Sequence, residues 1–369
     1  MSGSNSDYSD LLNYSVKLVE DKLRSIFADL VGEAGKVSPL VADLPLTTSN
    51  YTLRGGKRLR AFLALIGYWS KNWGGGDPEN ISLVMAGIEL LQSYLLIHDD
   101  IMDRDELRRG GPTVHVVFRD YCGTRGLLGD CVHYGTSQAI TAGDYLEATA
   151  VELLSSARLD SAALSRLLKT YARGLRLVAY GQYLDVHCSY LPLSAVREEH
   201  VLLIHTLKTA SYTVELPLHL GAIASQAYTE KLFTELTRYA IPAGIAFQLR
   251  DDIIGLYGDP KTTGKPVGSD VRSKKKTLLV IKAYQLADSD SKRFLERIYQ
   301  ELSEKDVSPE HVEFVQRLVK ETGSLSYSEE LIKKYVGTAL NALESATEIN
   351  EQAKDVLKWL LYKLAYREY

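Results

Sequence analysis

The chain has 369 residues, 45% hydrophobic and 24% charged, enough apolar side chain for a large core in one or two domains. Its net charge of −4 is small, with acidic and basic residues interspersed, which excludes an extended nucleic-acid-binding surface. Charge interrupts the apolar stretches, so none is expected to reach membrane-span length, and the polar, Ser-rich start (residues 1–10) reads as a frayed tail without a signal peptide's apolar core.

Almost every later segment reads as helix. Gly55-Gly56-Lys57-Arg58-Leu59-Arg60 sets two glycines and three cations ahead of an apolar helix expected over Ala61–Trp69. Exposed N–H groups at a helix start, beside cations, make a natural anion site. Asp77-Pro78-Glu79 then supplies an N-cap, a proline at the first helical position and an acid in the first turn. The helix that follows is largely apolar from Ile81 to His98 and meets Asp99-Asp100-Ile101-Met102-Asp103. Carboxylates there are costly to desolvate and need a cation or donors. Asp99 and Asp103, at i and i+4, repel each other, so helix stability does not explain them; hard divalent cations carrying phosphate on their far side do. On a wheel of 100° per residue, Asp103 lies about 40° and Gln92 about 20° from Asp99, so the three form one polar stripe, with Gln92 roughly 10 Å from Asp99 along the axis. Arg108-Arg109 follow, beside Gly110-Gly111-Pro112, and guanidinium groups match phosphate oxygens bidentately. His98 points about 100° off the acidic stripe and reads as an ordinary helix histidine.

Cys122, Cys131 and Cys188 are too few and too uneven for a secreted disulfide framework, and no metal-ligand spacing joins them to histidine. A Cys122–Cys131 bridge is one option; buried free thiols and a cytoplasmic compartment are the expectation. Ser194 is a candidate cap for a helix over Ala195–His205, and Lys208-Thr209 interrupts a long apolar helix. A second apolar stretch, Ala243–Leu249, leads into Asp251-Asp252-Ile253-Ile254-Gly255. Lys265 follows in a glycine-rich turn, then Lys274-Lys275-Lys276, a run that by itself reads as solvated. Ser308-Pro309-Glu310 opens a helix with Val312, Val315, Leu318 and Val319 on one face, closed by Gly323. No sustained period-2 alternation appears, so the fold class is all-α: one domain over residues 11–369 built as a bundle of roughly a dozen helices.

The stretches GGKRLR (Gly55–Arg60), LLQSYLLIHDDIMD (Leu90–Asp103), RRGGPTVH (Arg108–His115), GD (Gly143-Asp144), GQYLD (Gly181–Asp185), KT (Lys208-Thr209), FQLRDDIIG (Phe247–Gly255) and GKPVGSD (Gly264–Asp270) together resemble the trans-isoprenyl diphosphate synthases, in that family's order and spacing. The resemblance is nearest to the archaeal, short-chain type of geranylgeranyl diphosphate synthase. It implies an all-α bundle around a deep central cavity, usually a homodimer. It further implies three Mg²⁺ ions, two held by Asp99 and Asp103 and one by Asp251. Arg108, Lys208, Thr209, Gln248, Lys265 and Lys275 would contact the allylic diphosphate, and Lys57, Arg60, Gln92 and Arg109 would hold isopentenyl diphosphate. Dimethylallyl, geranyl and farnesyl diphosphates are the expected primers.

By the same resemblance, product length depends on Tyr94 and Leu95, five and four residues before the first aspartate. Leu91 is a further candidate for the cavity floor. An ideal wheel places Tyr94 about 160° from the acidic direction, so its role rests on the resemblance. Gly255 stands where many members carry a third aspartate, which weakens the second metal motif without removing Asp251. The alternatives are a farnesyl or C25 synthase and a non-catalytic partner subunit. A subunit of that kind would be expected to have lost aspartates or the Lys-Thr pair, and both are present here.

Overall fold

In the computed structural model the chain is described for residues 7–258 and 268–367, and nearly all of it is helical, as the sequence requires. Two compact units are resolved. One comprises Asp7–Thr170 and Pro217–Tyr228, the other chiefly Tyr171–Leu216 and Thr229–Tyr369.

The first unit is built on the helix Pro78–Met102. The Asp77 carboxylate accepts the Glu79 N–H at 3.0 Å, and proline follows at the first helical position. Leu59–Tyr68 and Cys131–Ser155 pack against it. Its apolar face is fully enclosed, with Val84, Met85, Ile88, Leu90 and Leu91 at or near zero exposure. This helix corrects one expectation, being long and apolar enough to cross a membrane by length and composition. It is nonetheless mostly buried inside its unit and carries the enclosed polar residues Glu89, Gln92 and Asp100, which marks it as a core helix. The N-terminal helix begins at Ser9 and so takes in the last part of the expected tail; residues 1–6 lie outside the described residues.

Two further corrections arise here. Cys122 and Cys131 are joined by a disulfide, where free thiols were expected. Cys122 lies near the end of the helix Val114–Thr124 and Cys131 opens the next, and the intervening turn brings their Cα atoms to 5.4 Å, within bridging range. Sequence patterning also missed a hairpin, Leu107–Arg108 paired with Gly111–Pro112. Its two central residues, Arg109 (φ 51°) and Gly110 (φ 72°), both have positive φ, the requirement of a tight two-residue turn.

In the second unit the helix Glu230–Tyr257 packs against Ser324–Ser345, Glu351–Ala365 and a π-helical stretch, His205–Glu215. The close approach of that stretch needs Gly244, because a Cβ there would stand 2.4 Å from Ala210 Cα. The helix Pro309–Glu321 forms as expected: Ser308 and His311 cap it, and Val312, Val315, Leu318 and Val319 are buried. Ser194 does not cap its predicted helix. It lies in a short 3₁₀ turn, Leu193–Ala195, and the helix starts at Glu198 with the Arg197 N–H donating to His200 Nδ1.

The lysine run is also not a solvated face. Lys276 is buried and donates to the carbonyls of Cys188 (2.9 Å), Ser189 (2.8 Å) and Leu191, at and just past the end of the helix Ser161–Tyr190. Lys274 donates to the Leu302 carbonyl, and Lys275 is paired with Asp252.

Candidate active site

In the first unit, Asp103 ends its helix still in α conformation, its N–H bonded to the Asp99 carbonyl at 2.8 Å, so the i, i+4 stripe survives to its last member. Gln92, two turns earlier, is buried, which rules out a merely solvent-facing stripe. Asp100 turns inward. It is fully enclosed, accepts the Tyr51 hydroxyl at 2.6 Å and takes the Arg108 Nε on its other oxygen. Burial pushes its pKa up to about 6, against the pull of Arg108 and the Tyr51 hydroxyl. Arg108 also reaches Asp99 (3.5 Å) and Asp105 (3.3 Å), so one guanidinium ties three carboxylates together.

The hairpin turn aims the neighbouring arginine the other way. Arg109 Nη1 donates to the Gly55 carbonyl at 2.7 Å, and Arg54 braces the hairpin by donating to the Pro112 carbonyl at 2.5 Å. Two basic loops more than fifty residues apart in sequence thus meet. Burial and the like charges of Arg58 and Arg60 lower the Arg109 pKa, against the pull of Glu89 and Tyr51. Lys57 is exposed beside it. Arg58, by contrast, is turned into the core, bonded to Glu89 (3.1 Å) and to the Thr52 carbonyl (2.7 Å). Glu89 also accepts the Ala61 N–H at 3.3 Å, securing the start of the helix Leu59–Tyr68.

Of the three chain-length candidates, Leu91 is fully buried and Tyr94 and Leu95 are half-buried. The Tyr94 ring meets His98 edge-on at 4.7 Å, and His98 Nε2 lies 3.2 Å from the Ile140 carbonyl. His98 is therefore a packed helix histidine, as its wheel position implies.

The second unit assembles its own polar centre. Lys208 Nζ pairs with Asp185 at 2.8 Å, and the Thr209 hydroxyl donates to Gln248 Oε1 at 2.8 Å. The Gln248 amide donates to Asp252 Oδ1 (2.9 Å), which also takes Lys275 Nζ (3.0 Å). Burial would raise the Asp252 pKa, but Lys275 and His205 hold it well below the usual carboxylate range. Lys275 in turn is held well above its ordinary value, against the pull of burial, by Asp252, Asp270, Asp185 and Asp251. Asp251 is half-exposed and contacts the Arg367 guanidinium. Lys265 lies outside the described residues.

Gly255 has a local cause. A Cβ there would stand 2.3 Å from Asp270 Oδ2, so the Asp270 carboxylate already fills the space a larger residue would enter. Sequence reasoning missed Tyr51, Arg54, Glu89, His205 and Arg367, and gave no role to Asp100, Asp185, Asp252 or Asp270. Four of these carboxylates lay inside motifs already quoted. The others carry no local signal, because their partners are distant in the chain.

A family model described as "Polyprenyl synthetase" matches residues 44–317. A geranylgeranyl diphosphate synthase of Saccharolobus solfataricus is 35% identical over 308 residues, 83% of this chain and 85% of that protein. A geranylfarnesyl diphosphate synthase of Aeropyrum pernix is 34% identical over 313 residues, 83% and 89% of the two chains. Among solved structures, the geranylgeranyl pyrophosphate synthase of Corynebacterium glutamicum, complexed with isoprenyl diphosphate and magnesium, superposes with a TM-score of 0.88 at 31% identity, covering 97% of this chain and 99% of that one. The motifs, the fold and these matches agree: the chain belongs to the polyprenyl synthetase family.

Proposed function

We propose that the protein is a trans-prenyltransferase that condenses isopentenyl diphosphate with dimethylallyl, geranyl and farnesyl diphosphates to give geranylgeranyl diphosphate. The observation that carries this reading is the meeting of the two basic loops, with Arg109 on the Gly55 carbonyl, in the unit that also carries the Asp99–Asp103 stripe. An acidic protein that only bound divalent ions would have no use for that cationic cluster.

In this reading Asp99, Asp103 and Asp251 hold Mg²⁺. No three His, Cys, Asp or Glu side chains among the described residues form a closed metal cage. Mg²⁺ keeps waters and takes one or two carboxylates together with substrate phosphates, so it needs no closed cage of protein ligands. Three such ions, as in the resemblance, would neutralise the diphosphate leaving group. Lys208, Thr209, Gln248, Lys275 and Arg108 bind and orient the allylic diphosphate, while Lys57, Arg60, Gln92 and Arg109 hold isopentenyl diphosphate. The allylic C–O bond breaks and its electron pair departs with the diphosphate. The isopentenyl double bond then forms the new C–C bond, and a proton is lost to the released diphosphate. No protein nucleophile is needed, so preorganised charge supplies the catalysis.

Exposed Val132, Ile140 and Val151 on the helix Cys131–Ser155, and exposed Tyr180, Tyr183 and Tyr190 on the helix Ser161–Tyr190, support a homodimer. Charged diphosphate substrates do not cross a bilayer unaided, which favours a cytoplasmic enzyme. The Cys122–Cys131 bridge would then be one of the less common cytoplasmic disulfides.

The test is incubation of the purified protein with labelled isopentenyl diphosphate and each primer, with Mg²⁺ and again with EDTA. Elongation with Mg²⁺ and none with EDTA is expected. No elongation with any primer would sink the enzyme reading and favour the non-catalytic subunit. For product length, Tyr94→Ala should shift the main product one or more isoprene units beyond C20. An unchanged length would remove Tyr94 from the floor.

A further inference from the structure

Asp252 is almost fully enclosed, at 1% exposure, and is not among the residues proposed above to hold metal or substrate. Its Oδ1 receives Gln248 Nε2 and Lys275 Nζ. Its Oδ2 faces His205, whose Nε2 lies 3.1 Å away. The approach is off the line of a straight hydrogen bond: neither Asp252 Oδ2 nor His205 Nδ1 has a hydrogen-bonded partner among the described residues. His205 is itself 4% exposed and opens the π-helical stretch that carries Lys208 and Thr209. Both residues border a cavity of about 60 Å³, which Lys208, Thr209, Gln248 and Lys275 also line.

We infer that His205 is a positioning residue for the allylic-diphosphate side of this site, acting through Asp252 on Gln248; the inference rests on the prenyl-transfer reading. A glutamine amide can be turned either way. With its NH₂ committed to Asp252, Gln248 turns its carbonyl to the Thr209 hydroxyl and keeps one N–H for an incoming phosphate oxygen. That choice holds only while the Asp252 side chain stays in place. Lys275 supports one oxygen and His205 the other. Without the imidazole, Oδ2 is a buried carboxylate oxygen facing an apolar wall, a costly state. The carboxylate then turns toward Lys275 and releases the amide. A histidine that merely fills the core would need no acidic neighbour and could be replaced by leucine.

The test compares His205→Leu with His205→Gln, whose side-chain amide can donate to Asp252. The leucine variant should raise KM for the allylic diphosphate about tenfold. KM for isopentenyl diphosphate, held by residues of the other unit, should stay within twofold. It should also weaken binding of inorganic pyrophosphate in Mg²⁺, followed by calorimetry, by a similar factor. The glutamine variant should recover most of both losses. Wild-type KM and pyrophosphate affinity in the leucine variant would overturn the inference, as would equal losses in both variants, which would mean a packing role only. If the leucine variant does not fold, His205→Asn, whose amide stops short of Asp252, takes its place under the same criteria. If the wild type makes no prenyl product while pyrophosphate binding still separates leucine from glutamine, the reaction assignment fails and the positioning role stands.

Discussion

Replacing Asp99 with asparagine is expected to lower kcat about a thousandfold while leaving the thermal transition nearly unchanged. A thousandfold loss corresponds to about 4 kcal/mol of transition-state stabilisation, the scale on which a metal-bridged leaving group is stabilised. The side chain is partly exposed and asparagine matches it in size, so weakening its 3.5 Å approach to Arg108 should cost little folding energy. Its neighbour Asp100 makes the contrast. That carboxylate is enclosed between Tyr51 and Arg108, so Asp100→Asn should cost stability first and activity through the displaced Arg108. Steady-state kinetics with saturating isopentenyl and farnesyl diphosphates, beside thermal denaturation, separates the two. A loss below tenfold at Asp99 would remove it from the metal site.

The second large effect concerns stability. Lys276→Met should lower the stability of its unit by about 3 kcal/mol, because one buried and two part-buried carbonyls lose their donor at the end of a long helix. For a unit of this size that is a fall of roughly 6–12 °C in Tm. Thermal or urea denaturation measures it. An unchanged midpoint would return Lys276 to the solvated run that its sequence neighbours suggest.

Those two residues also mark what a sequence can disclose. The Gln92–Asp99–Asp103 stripe was readable because helical periodicity alone puts the three on one face, and the helix holds that geometry to its last residue. The caps at Asp77 and Ser308 were readable for the same reason, since each is a local pattern completed within three residues. Which cation of Lys57-Arg58-Leu59-Arg60 turns inward was not readable. That depends on Glu89, about thirty positions away. The lysine triplet is similar: its three members go to three unrelated partners, each set by a different element.

Two features broke local rules. The hairpin has strands of only two residues and places a non-glycine, Arg109, at positive φ, a strained choice that sets the arginine against the Gly55 carbonyl. The π-helical stretch gives no compositional signal, yet it presents His205, Lys208 and Thr209 to the Asp185, Gln248 and Asp252 side chains. Strained or irregular backbone of this kind is concentrated at functional sites, where tertiary contacts override local preference. Gly255 shows the converse. The sequence reads as a damaged motif, whereas in space the Asp270 carboxylate already stands against it.

The most direct measurement is mass spectrometry of the product formed by the wild-type protein from farnesyl and isopentenyl diphosphates in Mg²⁺. One condensation is the expected outcome, with a C20 diphosphate accumulating. Unreacted farnesyl diphosphate after prolonged incubation would contradict it.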